Sequence, residues 1–322
     1  MITQQRPYML EPKARAFVDA LRAQGGKPIY ELSYVEARKV LEDAQAGKVT
    51  TLPADVEDKI LPVGPTGEVP VRIYSPKGAK GPLPVVMYFH GGGWVLGSTN
   101  THDRLLRDLV NGTHAAFVFV NYTPSPEVQF PVPIEQGYAA TAYIAEHGRD
   151  FGLDTSRLAV AGDSVGGNMV AVVTQLAKER KGPAIRYQVL FYPVTDSSLS
   201  QESYEEFANG PWLTRAAMQW FWDAYAPNNE DRRKTTAAPL SATAKQLEGL
   251  PPALVIVDEN DVLRDEGEAY ARKLMEAGVD VTAVRFLATH HDFVMLNALA
   301  DTPAAKAAIQ LASDKLITGL YR

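Results

Sequence analysis

The feature that most narrows the possible folds is a rhythm that sets in at residue 85. From there to the C-terminus, short runs of apolar residues alternate with stretches of helical periodicity. The runs cover residues 85–89, 116–120, 158–161, 188–192, 254–257 and 279–286; the helical stretches cover 103–110, 134–147, 165–178, 266–277 and 304–316. Most runs are apolar throughout, as strands buried on both faces are, and parallel neighbours need a crossover helix between them. The chain is therefore expected to be an α/β protein with a mostly parallel central sheet flanked by helices. Every run is strand-sized, far short of the ~18 consecutive apolar residues a membrane helix needs, so no membrane span is expected.

Three segments depart from the rhythm. The first fifty residues are helical: Phe17 and Leu21 lie one turn apart in 13–23, and Ser33 with Glu36 forms a capping box opening a helix through Ala44. Residues 56–74 turn extended around Gly64-Pro65-Thr66-Gly67, which predicts an antiparallel hairpin of edge strands. Residues 196–229, between two strands, exceed a simple crossover; in them Met218, Phe221, Trp222 and Tyr225 form a helical stripe, and three of the four tryptophans, Trp212, Trp220 and Trp222, lie there. That segment is expected to lie over the sheet against the N-terminal helices. Its stripe is read chiefly as helix packing, with a substrate-contacting role as the minority reading. No internal repeat interrupts the 322 residues, whose length suits about two domain-sized units.

The chain has no cysteine, which excludes disulfides, thiolate metal sites and a cysteine nucleophile. Residues 162–166, Gly-Asp-Ser-Val-Gly, match G-x-S-x-G. Five residues are a weak signal alone, but these follow a predicted strand and open a predicted helix, the setting of a nucleophile elbow. Glycines suit a turn that holds Ser164 in strained backbone space between strand and helix. The competing reading, a phosphate-binding turn, needs G-x-G-x-x-G after the first strand and is not met. The second constellation, His90-Gly91-Gly92-Gly93-Trp94, directly follows the run 85–89. Its bare backbone N–H groups, with that of Val165, are suited to an oxyanion hole. His90 itself is expected to be a structural hydrogen-bonding residue.

A serine hydroxyl needs a histidine base and a carboxylate to orient it, and the α/β-hydrolase chain order is Ser, acid, His. After Ser164 only His290 and His291 remain, and the acid is to be sought among Asp258, Asp261 and Asp265 behind the run 254–257. Asp265 has Glu268 three residues on, so helix capping accounts for it.

HGGGW, then GDSVGG, then DVLRDEG and HDF, in this order, resemble the bacterial hormone-sensitive-lipase-like (family IV) esterases of the α/β-hydrolase fold, over essentially the whole chain. The resemblance implies a serine carboxylesterase working through an acyl-enzyme on short- to medium-chain acyl esters. It implies His291 as base and Asp261 as acid, Gly92, Gly93 and Val165 as oxyanion donors, and Gly91 as a shaper of that loop. It also implies a cap made of residues 1–50 and 196–229 on a catalytic core of 51–195 and 230–322. Trp94, Trp212, Trp220 and Trp222 are the candidate pocket residues. The sequence departs from the pattern at Val262, Val165 and Asp292, where the family carries proline, alanine and glycine. A carboxylate at 292 beside the base is expected to raise its pKa and weaken activity at mildly acidic pH.

No cofactor or metal is called for by any motif, and the expected partner is a small-molecule ester. The net charge of −6 gives no basic footprint for nucleic acid. Residues 1–10 lack the basic start and apolar core of a secretion signal, so a cytoplasmic protein is expected. An exposed last strand at 279–286 would offer a homodimer contact. The rival activities are amide hydrolysis by the same triad and non-catalytic small-molecule reception on the same fold.

Overall fold

The computed structural model describes residues 8–321; residues 1–7, on which most of the secretion-signal reading falls, lie outside the described residues. Eight strands form one sheet: β1 (Ala54–Leu61), β2 (Val69–Pro76), β3 (Leu83–Phe89), β4 (Ala116–Val120), β5 (Leu153–Asp163), β6 (Gln188–Phe191), β7 (Ala253–Asn260) and β8 (Val281–His290), in the order β1-β2-β4-β3-β5-β6-β7-β8. β1–β2 and β2–β4 are antiparallel and every other pair is parallel. The expected hairpin forms, but of its two strands only β1 lies at an edge of the sheet. β2 also pairs with β4, and its side chains Val69, Val71 and Ile73 are buried.

Eleven α-helices accompany the sheet in the described residues: α1 (Pro12–Gln24), α2 (Tyr34–Gln45), α3 (Thr99–Thr113), α4 (Val132–His147), α5 (Val165–Glu179), α6 (Glu202–Glu206), α7 (Arg215–Tyr225), α8 (Asn229–Arg232), α9 (Ala244–Leu247), α10 (Arg264–Glu276) and α11 (Pro303–Tyr321). The Ser33–Glu36 capping box is formed at α2. α3 starts four residues before the expected stretch because Ser98 and Thr101 make a second box. α3 packs on α11 and α4 on α5, the two pairs enclosing the sheet, and β3, β4 and the inner half of β5 have no exposed side chain.

Register decides where chemistry can gather. Phe89 at the end of β3 pairs with Gly162 near the end of β5, and Asn260 of β7 pairs with His290 of β8. The segments beginning at His90, Ser164, Asp261 and His291 therefore all emerge at the C-terminal end of the sheet, where parallel strands deliver functional loops. Over that end lie α1, α2 and α7. Phe17 of α1 sits 5.3 Å from the Trp212 ring and 5.9 Å from that of His290, and Tyr34 of α2 stacks on Trp220 at 5.0 Å. α7 starts at the capping Thr214 and buries Met218, Phe221, Trp222 and Tyr225 while Gln219 and Asp223 face solvent, the division its stripe predicts.

Candidate active site

Ser164 stands between the last residue of β5 and the first of α5 with φ 56° and ψ −119°, a backbone state costing a non-glycine residue roughly 1–3 kcal/mol. The turn is held by the Ser164 N–H donating to the Phe191 carbonyl at 2.9 Å, and by the Ser164 carbonyl accepting from Val194 (3.1 Å) and Asn168 (3.2 Å). The glycines are required by space. A Cβ on Gly166 would overlap the Phe89 carbonyl, and one on Gly162 would lie 2.5 Å from the Gly166 backbone.

The His291 Nε2 atom lies 3.0 Å from Ser164 Oγ, and its Nδ1 lies 2.7 Å from Asp261 Oδ2. Asp261 Oδ1 accepts the Leu263 N–H at 3.1 Å, which fixes the carboxylate plane. With the proton on Nδ1 facing Asp261, Nε2 is the acceptor placed to take the hydroxyl proton of Ser164. All three side chains are buried. Burial alone disfavours the imidazolium, but the charges of Asp261 and Asp292 outweigh it and push His291 up to about 9.

The rejected candidates fall elsewhere. His290 turns away: its Nδ1 bonds to the His291 carbonyl at 2.8 Å, and burial lowers it to about 4. Asp258 is fully buried beside the pair, and neither carboxyl oxygen has a hydrogen-bond partner among the described residues. Burial, with the charges of Asp261 and Asp292 adding, raises it well above the usual carboxylate range. Asp258, Asp261 and His291 offer ligand atoms within 4.8 Å of one another, but a cation bound there through Nδ1 would replace the contact that orients the ring. The capping account of Asp265 is corrected. Its helix begins after Leu263 with no side-chain cap, and Asp265 instead accepts the Ser203 N–H of α6 at 2.8 Å and pairs with Arg264.

The glycine loop is anchored from below. Tyr88 OH donates to Asp163 Oδ1 at 2.7 Å, the Gly91 N–H donates to the same oxygen at 3.1 Å, and His102 Nε2 lies 3.2 Å from Oδ2. Gly91 thus commits its N–H to the carboxylate, and a Cβ there would overlap that group. Although burial opposes its charge, His102 and the Tyr88 hydroxyl hold Asp163 below its usual pKa. Gly92 and Gly93 take φ of 103° and 65°, and their N–H groups, like that of Val165, meet no protein acceptor among the described residues. A Cβ on Gly93 would penetrate the Phe221 ring of α7. His90 is buried, stacks on Tyr122 at 4.2 Å and bonds to the Gly91 carbonyl; burial and the neighbouring His102 lower it to about 3, as suits a structural role. Nothing in the motifs announced Tyr88 or His102, whose only sequence signal is a polar residue in an otherwise apolar strand or helix face.

Ser164, His291 and the two glycines open onto a cavity of about 500 Å³ walled by α1, α2, α7 and the loop before α7. Of the four candidate pocket tryptophans only Trp212 lines it. Trp94 and Trp222 are fully buried and pack on one another and on Tyr225, at 4.9 Å and 3.9 Å from Trp94, because their rings fill the seam between the glycine loop and α7. Trp220 stacks on Tyr34 and does not line the cavity. The cavity wall is instead supplied by smaller apolar side chains such as Val18, Leu21, Leu213 and Met218, which sequence patterning does not separate from core.

A mostly parallel sheet that presents a serine at a strand–helix elbow, with a histidine and an aspartate from later strand ends in hydrogen-bond sequence, defines an α/β hydrolase. The chain belongs to the α/β hydrolase fold family, whose model matches residues 86–295. It is 50% identical to the crystal structure of a thermostable esterase from Pseudomonas putida ECU1011, with a TM-score of 0.95 and 98% of each chain covered. An esterase of Fusarium pseudograminearum is 34% identical over 96% of this chain and 95% of its own length. Carboxylesterase NlhH of Mycobacterium tuberculosis is 41% identical over 70% of this chain and 71% of its own. The kinship with the hormone-sensitive-lipase-like esterases expected from the ordered motifs is borne out.

Proposed function

We propose that this protein is a serine carboxylesterase that hydrolyses short- to medium-chain acyl esters through an acyl-enzyme on Ser164. The observation that carries the reading is the unbroken chain Ser164 Oγ, His291, Asp261, at 3.0 and 2.7 Å, opening onto a largely apolar cavity. Ser164 Oγ attacks the ester carbonyl as its proton passes to His291 Nε2. The carbonyl oxygen gains negative charge, which the N–H groups of Gly92, Gly93 and Val165 stabilise. His291 then gives the proton to the leaving alkoxide, and water repeats the attack on the acyl-enzyme to free Ser164. Asp261 keeps the imidazole in the required tautomer and stabilises its transient charge.

Residues 1–50 and 196–229 form the cap in this reading, and 51–195 with 230–322 the catalytic core. The Tyr34–Trp220 and Phe17–Trp212 contacts, which tie the two cap segments together, support that division. No helix of the described residues is long and apolar enough to cross a membrane. A cytoplasmic location is part of the proposal. A homodimer through the edge strand β8, where Leu287 is 65% exposed, completes the proposal; sedimentation that gave only monomer would remove it. The activity itself is tested with aryl esters of increasing acyl length, alongside matched amides and Ser164→Ala as control. Hydrolysis of the shorter esters that vanishes in the variant is expected. Equal rates in both proteins, or faster amide than ester cleavage, would refute it.

A further inference from the structure

Trp212, in the loop between α6 and α7, is the one candidate pocket tryptophan that lines the cavity, and its indole N–H is committed to Asp292 Oδ2 at 2.8 Å. Phe17 of α1 packs on the same indole at 5.3 Å and on His290 at 5.9 Å, so the ring is wedged between α1 and the end of β8. The Asp292 side chain is only 12% exposed, and its other oxygen, Oδ1, is buried 3.5 Å from His291 Nε2 as an ion-pair partner. Burial pushes the Asp292 carboxyl toward its neutral form, while the charge of His291 and the Trp212 N–H favour the carboxylate. The other titratable groups facing this corner are Asp258 and Asp261 at the end of β7, Asp163 at the end of β5 with His102 of α3, Tyr192 after β6 and His290 of β8. Arg22 of α1 and Lys27 beyond it line the same cavity. Among the described residues none of these hydrogen-bonds to the Asp292 side chain, whose one such partner is Trp212.

We infer that Trp212 is a positioning residue for the reaction: its indole holds the Asp292 carboxylate against His291 Nε2, so that a residue of the segment 196–229 acts on the base through Asp292. Without the N–H, the buried carboxyl loses a donor that favours its charged form. His291 then loses the support of that charge and gives up its proton at lower pH, so the variant should keep more of its activity in mildly acidic solution than the native enzyme does. The inference rests on the carboxylesterase reading of the same site and assigns Trp212 a role in it beyond walling the cavity.

The test is a double-mutant cycle read on the acidic limb of the kcat/KM profile, which reports the free enzyme, with ethyl butyrate hydrolysis followed in a pH-stat. Trp212→Phe removes the N–H and keeps an aromatic ring. It should move the limb to lower pH, in the same direction as Asp292→Gly and by no more than the roughly one unit expected of that variant. In the Asp292→Gly background, Trp212→Phe should leave the limb where it is. Trp212→Leu, which also lacks the N–H, should repeat both results. A packing role alone would change kcat or KM in either background and leave the limb in place. An unmoved limb in the native background, or an equal shift with Asp292 already gone, would overturn the inference while Ser164-dependent hydrolysis left the esterase reading intact. Hydrolysis as fast in Ser164→Ala as in the native protein would bring that reading down instead.

Discussion

Two buried histidine–carboxylate pairs flank Ser164, and they differ in what the second ring nitrogen meets. In one, His291 binds Asp261 through Nδ1 at 2.7 Å and presents Nε2 to Ser164 Oγ at 3.0 Å, at the edge of the cavity. In the other, His102 binds Asp163 through Nε2 at 3.2 Å, and its Nδ1 is taken by Thr101 Oγ1 at 2.8 Å, with no exposed surface. The chemistry of the residues is the same. What separates a base from a brace is a free nitrogen with a proton donor in front of it and space for substrate beyond. Asp163 adjoins Ser164 in sequence yet faces the opposite way, into the glycine loop, while Asp261 lies far along the chain and reaches the site through strand register.

Breaking the first pair should have the largest effect. Ser164→Ala or His291→Ala should lower kcat by roughly 10⁴–10⁶, read in initial-rate assays on an aryl ester. Asp261→Asn, which leaves the imidazole in the wrong tautomer, should lose on the order of 10³–10⁴ with KM little changed. A loss as great in Asp258→Asn as in Asp261→Asn would reassign the acid.

Breaking the second pair should act through the loop. Asp163→Asn weakens the hold on Gly91 and should reduce kcat by roughly 10², the order attached to a misplaced oxyanion donor. His102→Gln leaves Asp163 buried with a weaker partner and should cost about 3 kcal/mol in denaturant unfolding, with activity falling less than in Asp163→Asn. If His102→Gln instead removed activity as completely as His291→Ala, the distinction between base and brace would fail.

The smallest expected effect is a shift in pH. In the proposed mechanism the base must be neutral to act, so a His291 raised to about 9 should confine full activity to alkaline pH and weaken it as pH falls. Asp292→Gly removes one of the charges that favour the imidazolium, so the acidic limb of the kcat/KM profile should move down by roughly one unit. An unmoved limb would show that Asp261 alone sets the base.

Much of this was legible in the sequence because it depends on local pattern. The alternation located the six strands from β3 to β8, short of the first five residues of β5, the turn at 64–67 located the hairpin, and the elbow and glycine loop are contiguous motifs whose residues serve one turn each. What escaped depends on packing between distant segments. Trp94 and Trp222 look like pocket residues in a linear reading, but they meet across the seam between loop and helix and bury one another. Asp265 looks like a cap because Glu268 stands three residues on, but the contact that occupies it comes from Ser203, on a different helix. The bond between Asp292 and Trp212 joins residues 80 apart, and no spacing rule points to it.

The reading of this site turns on Ser164 as nucleophile and His291 as its base. The most direct measurement is active-site labelling by an aryl phosphonate, followed by mass spectrometry of the digested protein. One label per chain is expected, on the peptide carrying Ser164, absent in Ser164→Ala and slowed by at least about 10³ in His291→Ala. A label on another residue, or unslowed labelling of Ser164 without His291, would contradict it.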